Sequence, residues 1–334
     1  FSLRGWDRYG GSAVNPAGEG TGFFTRVRVD GRWTLVDPLG NAFFSVGPDC
    51  VVVRSDCRVD RMERSVDWLP PETDPVYGPM YRHMRWPRRD APRHRDCTLF
   101  SFPQANLARA FGEGWHARWQ CLMSRQLKQN GLNTLGNWSD PESLGVMSIP
   151  YVTMLEEFPD TKTHIFRDFP DVLADEYTRD AGRCAQALRK RADDPLMIGY
   201  FLRNEPEWAF VDGLILADEV LYNSEPSACR QGLIAWLKNK YKTPQALSAA
   251  WKHPFADFNA LRQPIRKASS FSGAAREDLR AFSRLLLDTY VGVISDACRE
   301  ADPNHMNLGM RWAWISDPDL VTGWRHFDVF SINC

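Results

Sequence analysis

Apolar positions along this chain follow two rhythms. Over residues 21–49, "TGFFTRVRVDGRWTLVDPLGNAFFSVGPD", short apolar runs alternate with polar residues and break at Asp30-Gly31 and at Asp37-Pro38-Leu39-Gly40. A period of two marks strands, and both breaks carry turn residues. The last run, residues 42–46, is apolar almost without interruption, which predicts a strand buried on both faces. Beyond it the rhythm lengthens. "NLARAFGEGWHARWQCLMSRQLKQN" (106–130) predicts a helix with a Gly-rich irregularity inside it and Gly131 as its cap. "LNTLGNW" follows as a short strand and "IPYVTML" (149–155) as the next. A helix is expected over 172–192, a strand at "LMIGYFLRN" (196–204), several helices within 209–300, and strands at "HMNLGMRWAW" (305–314) and "FDVFSIN" (327–333).

Strand and helix in alternation predict an α/β fold with a parallel sheet and helical crossovers. Six core strands are counted, from "AFFSV" to "FDVFSIN". Two architectures accommodate them: a doubly wound sheet, or a (β/α)8 TIM barrel cut short after its sixth strand. The organisation expected is a β-rich lead-in over 1–40 and a barrel domain over 41–334. That domain carries an Arg- and Pro-rich long loop at 54–105 and a helical excursion at 209–300. The chain reaches Cys334 at a strand's end, so further polypeptide is expected beyond it.

Composition narrows the function classes. The 334 residues hold 41 basic against 42 acidic side chains, a net charge of -1, which gives no general attraction to nucleic acid or to a membrane surface. No apolar run reaches the length of a membrane-spanning helix. The eight cysteines form no CxxC pair, and the histidines His116, His164, His253, His305 and His326 show no HxH or HExxH spacing, so no metal and no cofactor is expected. Thirteen tryptophans are an excess that either fills a core or builds flat platforms for sugar rings.

The stretch "GYFLRNEPEW" (199–208) ends an apolar run on Asn204-Glu205, followed by a proline and Trp208. Catalytic groups of parallel barrels sit at the carboxyl ends of strands. Pro206 is expected to hold Glu205 in extended backbone. Asn-Glu-Pro closing a fourth strand resembles the retaining glycoside hydrolases of the large (β/α)8 clan, with bacterial β-agarases and β-galactosidases among them. Two further stretches carry the same resemblance: "LIAWLKNKYKTPQALSAAWKHPFADF" (233–258) and "DGRWTLVDPLGNAFFSVG" (30–47). The resemblance implies that Glu205 is the general acid/base and that Asn204 holds a sugar 2-hydroxyl. It also implies a carbohydrate substrate, β-linked and best matched to a galactose-containing one, cleaved with retention.

Such chemistry needs two carboxyl groups about 5–5.5 Å apart. Trp208 and Tyr200 are expected to bury the Glu205 carboxyl. The family places the nucleophile on a seventh strand, hence beyond Cys334. Glu207 comes from the same loop as Glu205, whereas the family draws its pair from opposite sides of the barrel, and Glu156 and Glu157, which end the third strand, do not match the family's nucleophile position. Asp49, Asn137, Trp138, Trp208, Arg311, Trp312, Trp314 and Asn333, all at strand ends, are the expected substrate-binding residues, with Asp49 equally suited to capping a turn. "YRHMRWPRRDAPRHRD" (81–96), with six Arg and two His against two Asp, reads either as a cationic cover for an anionic sugar, Arg88 and Arg89 at its centre, or as a solvated loop pinned by ion pairs. The rival to an enzyme is a carbohydrate-binding barrel that has lost its nucleophile. A scaffold without a sugar site is a further alternative.

Overall fold

The computed structural model describes residues 5–62, 64–86 and 95–333. Residues 87–94, with Arg88 and Arg89 of the expected cationic cover, lie outside them. Contacts divide the chain into two compact units, one of residues 1–20 and 26–151, the other of residues 21–25 and 152–334.

The first unit opens on a three-stranded sheet of β1 (Thr25–Val29), β2 (Arg32–Val36) and β3 (Ala42–Phe43). Asp30 and Gly31 both take positive φ, the geometry Asp-Gly supplies in a two-residue hairpin. Strand β3 stops after two residues, and Phe44 is 82% exposed, so the strand buried on both faces that the apolar run predicts is not there. The run changes partner instead. The carbonyl of Val46 accepts from the N–H groups of Asn133 and Thr134 at 2.9 and 3.1 Å, and that of Pro48 from Gly136 at 2.8 Å. "LNTLG" in turn makes only a single parallel bridge, Leu135 to Tyr151.

Residues 54–105 hold more than a loop. Strands β4 (Cys57–Arg58), β5 (Tyr81–Trp86) and β6 (Arg95–Phe100) form an antiparallel sheet in the order β4-β6-β5. Arg82 pairs with Asp56 at 2.6 Å and His83 with Glu72 at 2.9 Å. These charges on the open face hide the strand period in the sequence. The sheet closes on a small core of Val59, Met80, Phe100, Ala105 and Ala108, the last two from α1 (Phe102–Phe111). Helix α2 (Trp115–Gln129) continues after a break at Gly112, whose φ of 69° few other residues tolerate.

The second unit is built from β7 (Tyr151–Met154), β8 (His164–Phe166), β9 (Phe169–Pro170), α3 (Asp175–Ala185), β10 (Met197–Phe201), β11 (Arg203–Asn204), α4 (Leu216–Tyr222), α5 (Ala228–Tyr241), α6 (Pro244–Trp251), α7 (Gly273–Ala301), β12 (Met306–Asn307), β13 (Met310–Trp312) and β14 (Ser331–Ile332). Its strands neighbour one another in chain order, β7-β10-β12 and β11-β13-β14, without a switch point. Gly199 pairs with Met306, Arg203 with Met310 and Arg311 with Ser331, all parallel. Among the described residues these are open three-stranded sheets, and no closed barrel forms. The 209–300 section is helical, as its period predicts. It is fastened to α7 through Asp278, a buried carboxylate that accepts from Tyr241 Oη at 2.6 Å and Trp251 Nε1 at 2.8 Å and pairs with Lys240. No helix among the described residues is long and apolar enough to cross a membrane.

One carboxyl pair, fully buried at Asp37 and partly buried at Asp7, locks the start of the first unit. Asp37 is fully buried in the turn between β2 and β3, where its Oδ1 accepts from the N–H groups of Leu39 and Asn41 at 2.9 and 3.0 Å. Asp7 Oδ1 accepts from Tyr9 and Gly11, and its Oδ2 from Asn41 Nδ2 at 2.7 Å. The buried Asp37 Oδ2 has no hydrogen-bond partner among the described residues, and a proton on Asp37 would bond it to the neighbouring Asp7 carboxyl. Burial first, then the Asp7 carboxyl, pushes Asp37 up to about 6. Burial pulls Asp7 upward too, but its bonds from Asp37, Asn41, Tyr9 and Gly11 outweigh that and hold it below the usual carboxylate range. The raised group stabilises the fold in acid, and that contribution is lost as pH rises through about 6. The lowered Asp7 contributes above its ordinary range and loses this only in stronger acid. In Asp37→Asn an amide donates to Asp7 at every pH. Urea denaturation should show this variant more stable than the parent by on the order of 1 kcal/mol at pH 8. The parent's decline between about pH 4 and 6.5 should vanish, and a decline that persists in the variant would locate the titration elsewhere.

Candidate active site

Parallel strands carry their carboxyl ends to one edge, and in the second unit three of those ends meet. Asn204 ends β11 and registers with Arg311 on β13, which registers with Ser331 on β14. Asn333, just past β14, ties them together. Its Oδ1 accepts from Arg311 Nε at 3.1 Å. That bond fixes the amide's orientation, so Nδ2 faces the other way, donating to Glu205 Oε1 at 2.5 Å and to Asn204 Oδ1 at 3.4 Å. With its oxygen so used, the Asn204 amide has its NH2 group on the opposite side. Sequence reasoning named all four residues, and the structure brings them together.

The backbone of Glu205 departs from expectation. It lies at φ 45°, left-handed rather than extended, although a proline follows. The preference that Pro206 imposes is overridden by bonds on both sides. The N–H of Glu205 donates to the carbonyl of Arg311 at 3.0 Å, keeping it on the strand edge. Beyond the proline, Asp168 captures the turn: Oδ2 accepts from Glu207 N–H at 2.9 Å and Oδ1 from Trp208 N–H at 2.8 Å. Arg203, two residues before Glu205, pairs with the same carboxylate at 2.6 Å and also donates to Tyr290 Oη at 3.2 Å. Asp168 therefore grips the chain on either side of Glu205. Nothing local announces it, since it lies 37 residues upstream in a β8–β9 hairpin whose turn carries Arg167 at φ 49°. A non-glycine residue held at positive φ by converging bonds is a device found where side chains must be aimed.

The carboxyl environment is corrected as well. Glu205 is exposed, and neither Trp208 nor Tyr200 covers it. Trp208 is 0% and Trp312 2% exposed, so neither offers a face to a sugar ring. They pack edge-to-face on each other at 5.8 Å, and Trp208 meets Phe169 at 5.3 Å and Tyr290 at 5.5 Å. This layer supports the strand ends from beneath. Trp314 differs: it is 52% exposed, its Nε1 donating to Asp212 at 3.0 Å. A cavity of about 340 Å³ opens beside the cluster, lined among others by Leu155, Glu156, Phe158, Asp168, Arg203 and Asn204. Glu156 thus faces the same cavity as Asn204, whereas Glu157 pairs with Arg183 on α3.

The remaining predicted residues belong to the first unit. Asp49 Oδ1 accepts from Asn137 N–H at 2.8 Å, the turn-capping alternative. Asn137 is buried, and its carbonyl accepts from Cys50 N–H at 2.8 Å, so it is part of the framework rather than an open contact. Trp138, left-handed at φ 59°, is 47% exposed and keeps an accessible indole.

Over 97% of its length the chain is 27% identical to β-agarase B of Vibrio sp. (strain JT0107), and over 91% it is 25% identical to β-agarase A of the same organism. The chain resembles β-agarases. It spans 37% and 33% of the length of these two relatives. Among solved structures, the agarase AgWH50C matches 100% of this chain with a TM-score of 0.84 at 25% identity, the match covering 51% of that chain. An exo-β-agarase matches 99% with a TM-score of 0.83 at 22% identity, over 52% of its own chain. No protein-family model matches. The fold of these agarases is thus shared along nearly the whole chain.

The grip of Asp168 is open to measurement. Asp168→Ala leaves the half-buried Arg203 guanidinium and two N–H groups without their acceptor and should lower stability by about 2–3 kcal/mol in chemical denaturation. Asp168→Asn, which keeps one acceptor oxygen, should lose about half as much. Equal stability of all three proteins would mean that the turn is held by something else.

Proposed function

We propose that the protein is a retaining glycoside hydrolase acting on a β-linked, galactose-containing polysaccharide of the agar type. The observation that carries this reading is the placement of Glu205. An exposed carboxyl ends a parallel strand, is held at positive φ, and touches Asn333 and stands beside Asn204, in a chain that aligns with β-agarases over nearly its full length. In this reading the chain supplies the first part of a (β/α)8 barrel, whose carboxyl face carries the chemistry.

Glu205 gives its proton to the departing glycosidic oxygen, then takes one from the water that completes the reaction. The nucleophile is assigned to the seventh strand, beyond Cys334, where a carboxylate faces Glu205 across the sugar ring at the short separation that retention requires. A second negative charge is disfavoured so close to the first, which is how such pairs divide into an acid and a nucleophile. The Asn204 NH2 group donates to the 2-hydroxyl, a contact that tightens as the ring flattens toward an oxocarbenium ion. Arg311 acts through Asn333, holding the amide that aims the Glu205 carboxyl.

In the full-length protein, Glu205→Ala should lower kcat on an aryl β-galactoside by about 10²–10⁴-fold. Azide should restore part of the rate and yield the β-galactosyl azide, the product of retention. Turnover equal to the parent's would end the assignment of Glu205, and an α-azide would end the assignment of retention.

A further inference from the structure

A second and larger cavity, about 780 Å³, lies in the helical section that follows Glu205. One wall is residues 211–215, the far arm of the turn that begins at Pro206. Val211 lies six positions beyond Glu205, so their Cα atoms stand at most about 20 Å apart. Trp314 bridges the interval. It follows β13, the strand paired with Glu205's own strand, and its exposed indole donates to Asp212 on the cavity wall. Ser316 Oγ donates to the Val211 carbonyl at 3.3 Å and fastens the same wall.

The lining is balanced in sign. Asp212, Asp218 and Glu219 face Arg266, Lys267 and Arg276. Among the described residues none of these three cations is in an ion pair, and Asp218 is taken up by the N–H and hydroxyl of Ser269. The half-exposed ring of Tyr222, with the Arg266 guanidinium 5.9 Å from its centroid, adds an apolar face. The three carboxylates oppose the attraction that the three cations offer a phosphorylated or sulfated ligand. A neutral polyol suits both signs, because every hydroxyl donates to a carboxylate and accepts from a cation. Its ring faces suit Tyr222 and Trp314. The volume is that of a ligand site for a molecule of several rings.

We propose that this cavity is a distal saccharide subsite. It binds a neutral stretch of the polysaccharide several sugar units from the bond that Glu205 serves, with Trp314 supporting the chain between. The direction of the chain rests on the proposed role of Glu205; the cavity's preference for a neutral sugar does not.

The test uses full-length protein carrying Glu205→Gln, so that ligands are not consumed, and titration calorimetry with neutral agaro-oligosaccharides from two to twelve units. Affinity should rise with length. Adding Tyr222→Ala and Arg276→Ala should weaken the twelve-unit ligand at least tenfold more than the two-unit one, with thermal unfolding confirming that the variant is folded. Equal losses at both lengths, or none, overturn the subsite while leaving the role of Glu205 standing. Tighter binding of a sulfated galactan than of the neutral chain overturns the assignment of ligand. No binding of any galactan overturns the subsite and the proposed function together.

Discussion

Everything at the candidate site depends on a strand that must end abruptly without losing its aim. A regular strand would carry Glu205 onward in extended backbone, and a free loop would let it wander. Asp168 prevents both. One carboxylate holds Arg203 before the glutamate and two N–H groups after it, so the chain turns in a fixed place. The energetic logic is that of a charge-assisted cap applied to a turn: bonds to an ionised acceptor are stronger than neutral ones and offset the cost of a left-handed residue. Arg311 then serves the polar edge twice, its carbonyl holding the Glu205 backbone and its guanidinium holding the amide that touches the Glu205 side chain.

Beneath that edge lies an apolar floor. Trp208 meets Trp312, Phe169 and Tyr290 edge to face, Phe169 stacks on Tyr290, and Tyr177 Oη donates to the Tyr290 carbonyl at 2.6 Å. A polar cluster so placed cannot sink into the unit, because the layer below is already filled. The tryptophan excess thus divides by position. Trp208 and Trp312 set the height of the strand ends, while Trp138 and Trp314 keep faces open to solvent. Identity alone cannot separate the two roles, since every one of the four stands at a strand end in the sequence.

Much of the fold was legible in the sequence because it follows from period and punctuation. The broken helix at Gly112, the helical 209–300 section and the chain-order succession of parallel strands all rest on local signals. What escaped was whatever depends on partners remote in the chain. Residues 42–46 are apolar enough for one buried strand, yet they divide their backbone bonds between β2 and the 133–136 segment. The β4-β6-β5 sheet is masked by charged residues on its open face. Asp168 is one aspartate among many until the turn it grips is seen. The Asn204-Glu205 pair was legible for the opposite reason: its place after an apolar run is a local fact.

The stretch 233–258 shows how a resemblance can be sound without marking chemistry. Tyr241 and Trp251, two of its most distinctive residues, both spend their polar groups on Asp278 within the helical section. Thr243 caps α6, accepting from Ala246 N–H at 3.2 Å, and Asp257 caps the turn after it in the same way. The segment is thus a set of helix ends and one buried carboxylate, constrained because a buried charge must keep its donors. It fixes how α5 and α6 stand against α7, and α7 bears Tyr290, which the Glu205 turn rests against through Arg203 and Trp208. Similarity in such a segment therefore reports the scaffold that holds the Glu205 turn, whereas the role proposed for Glu205 rests on its own place at the strand end.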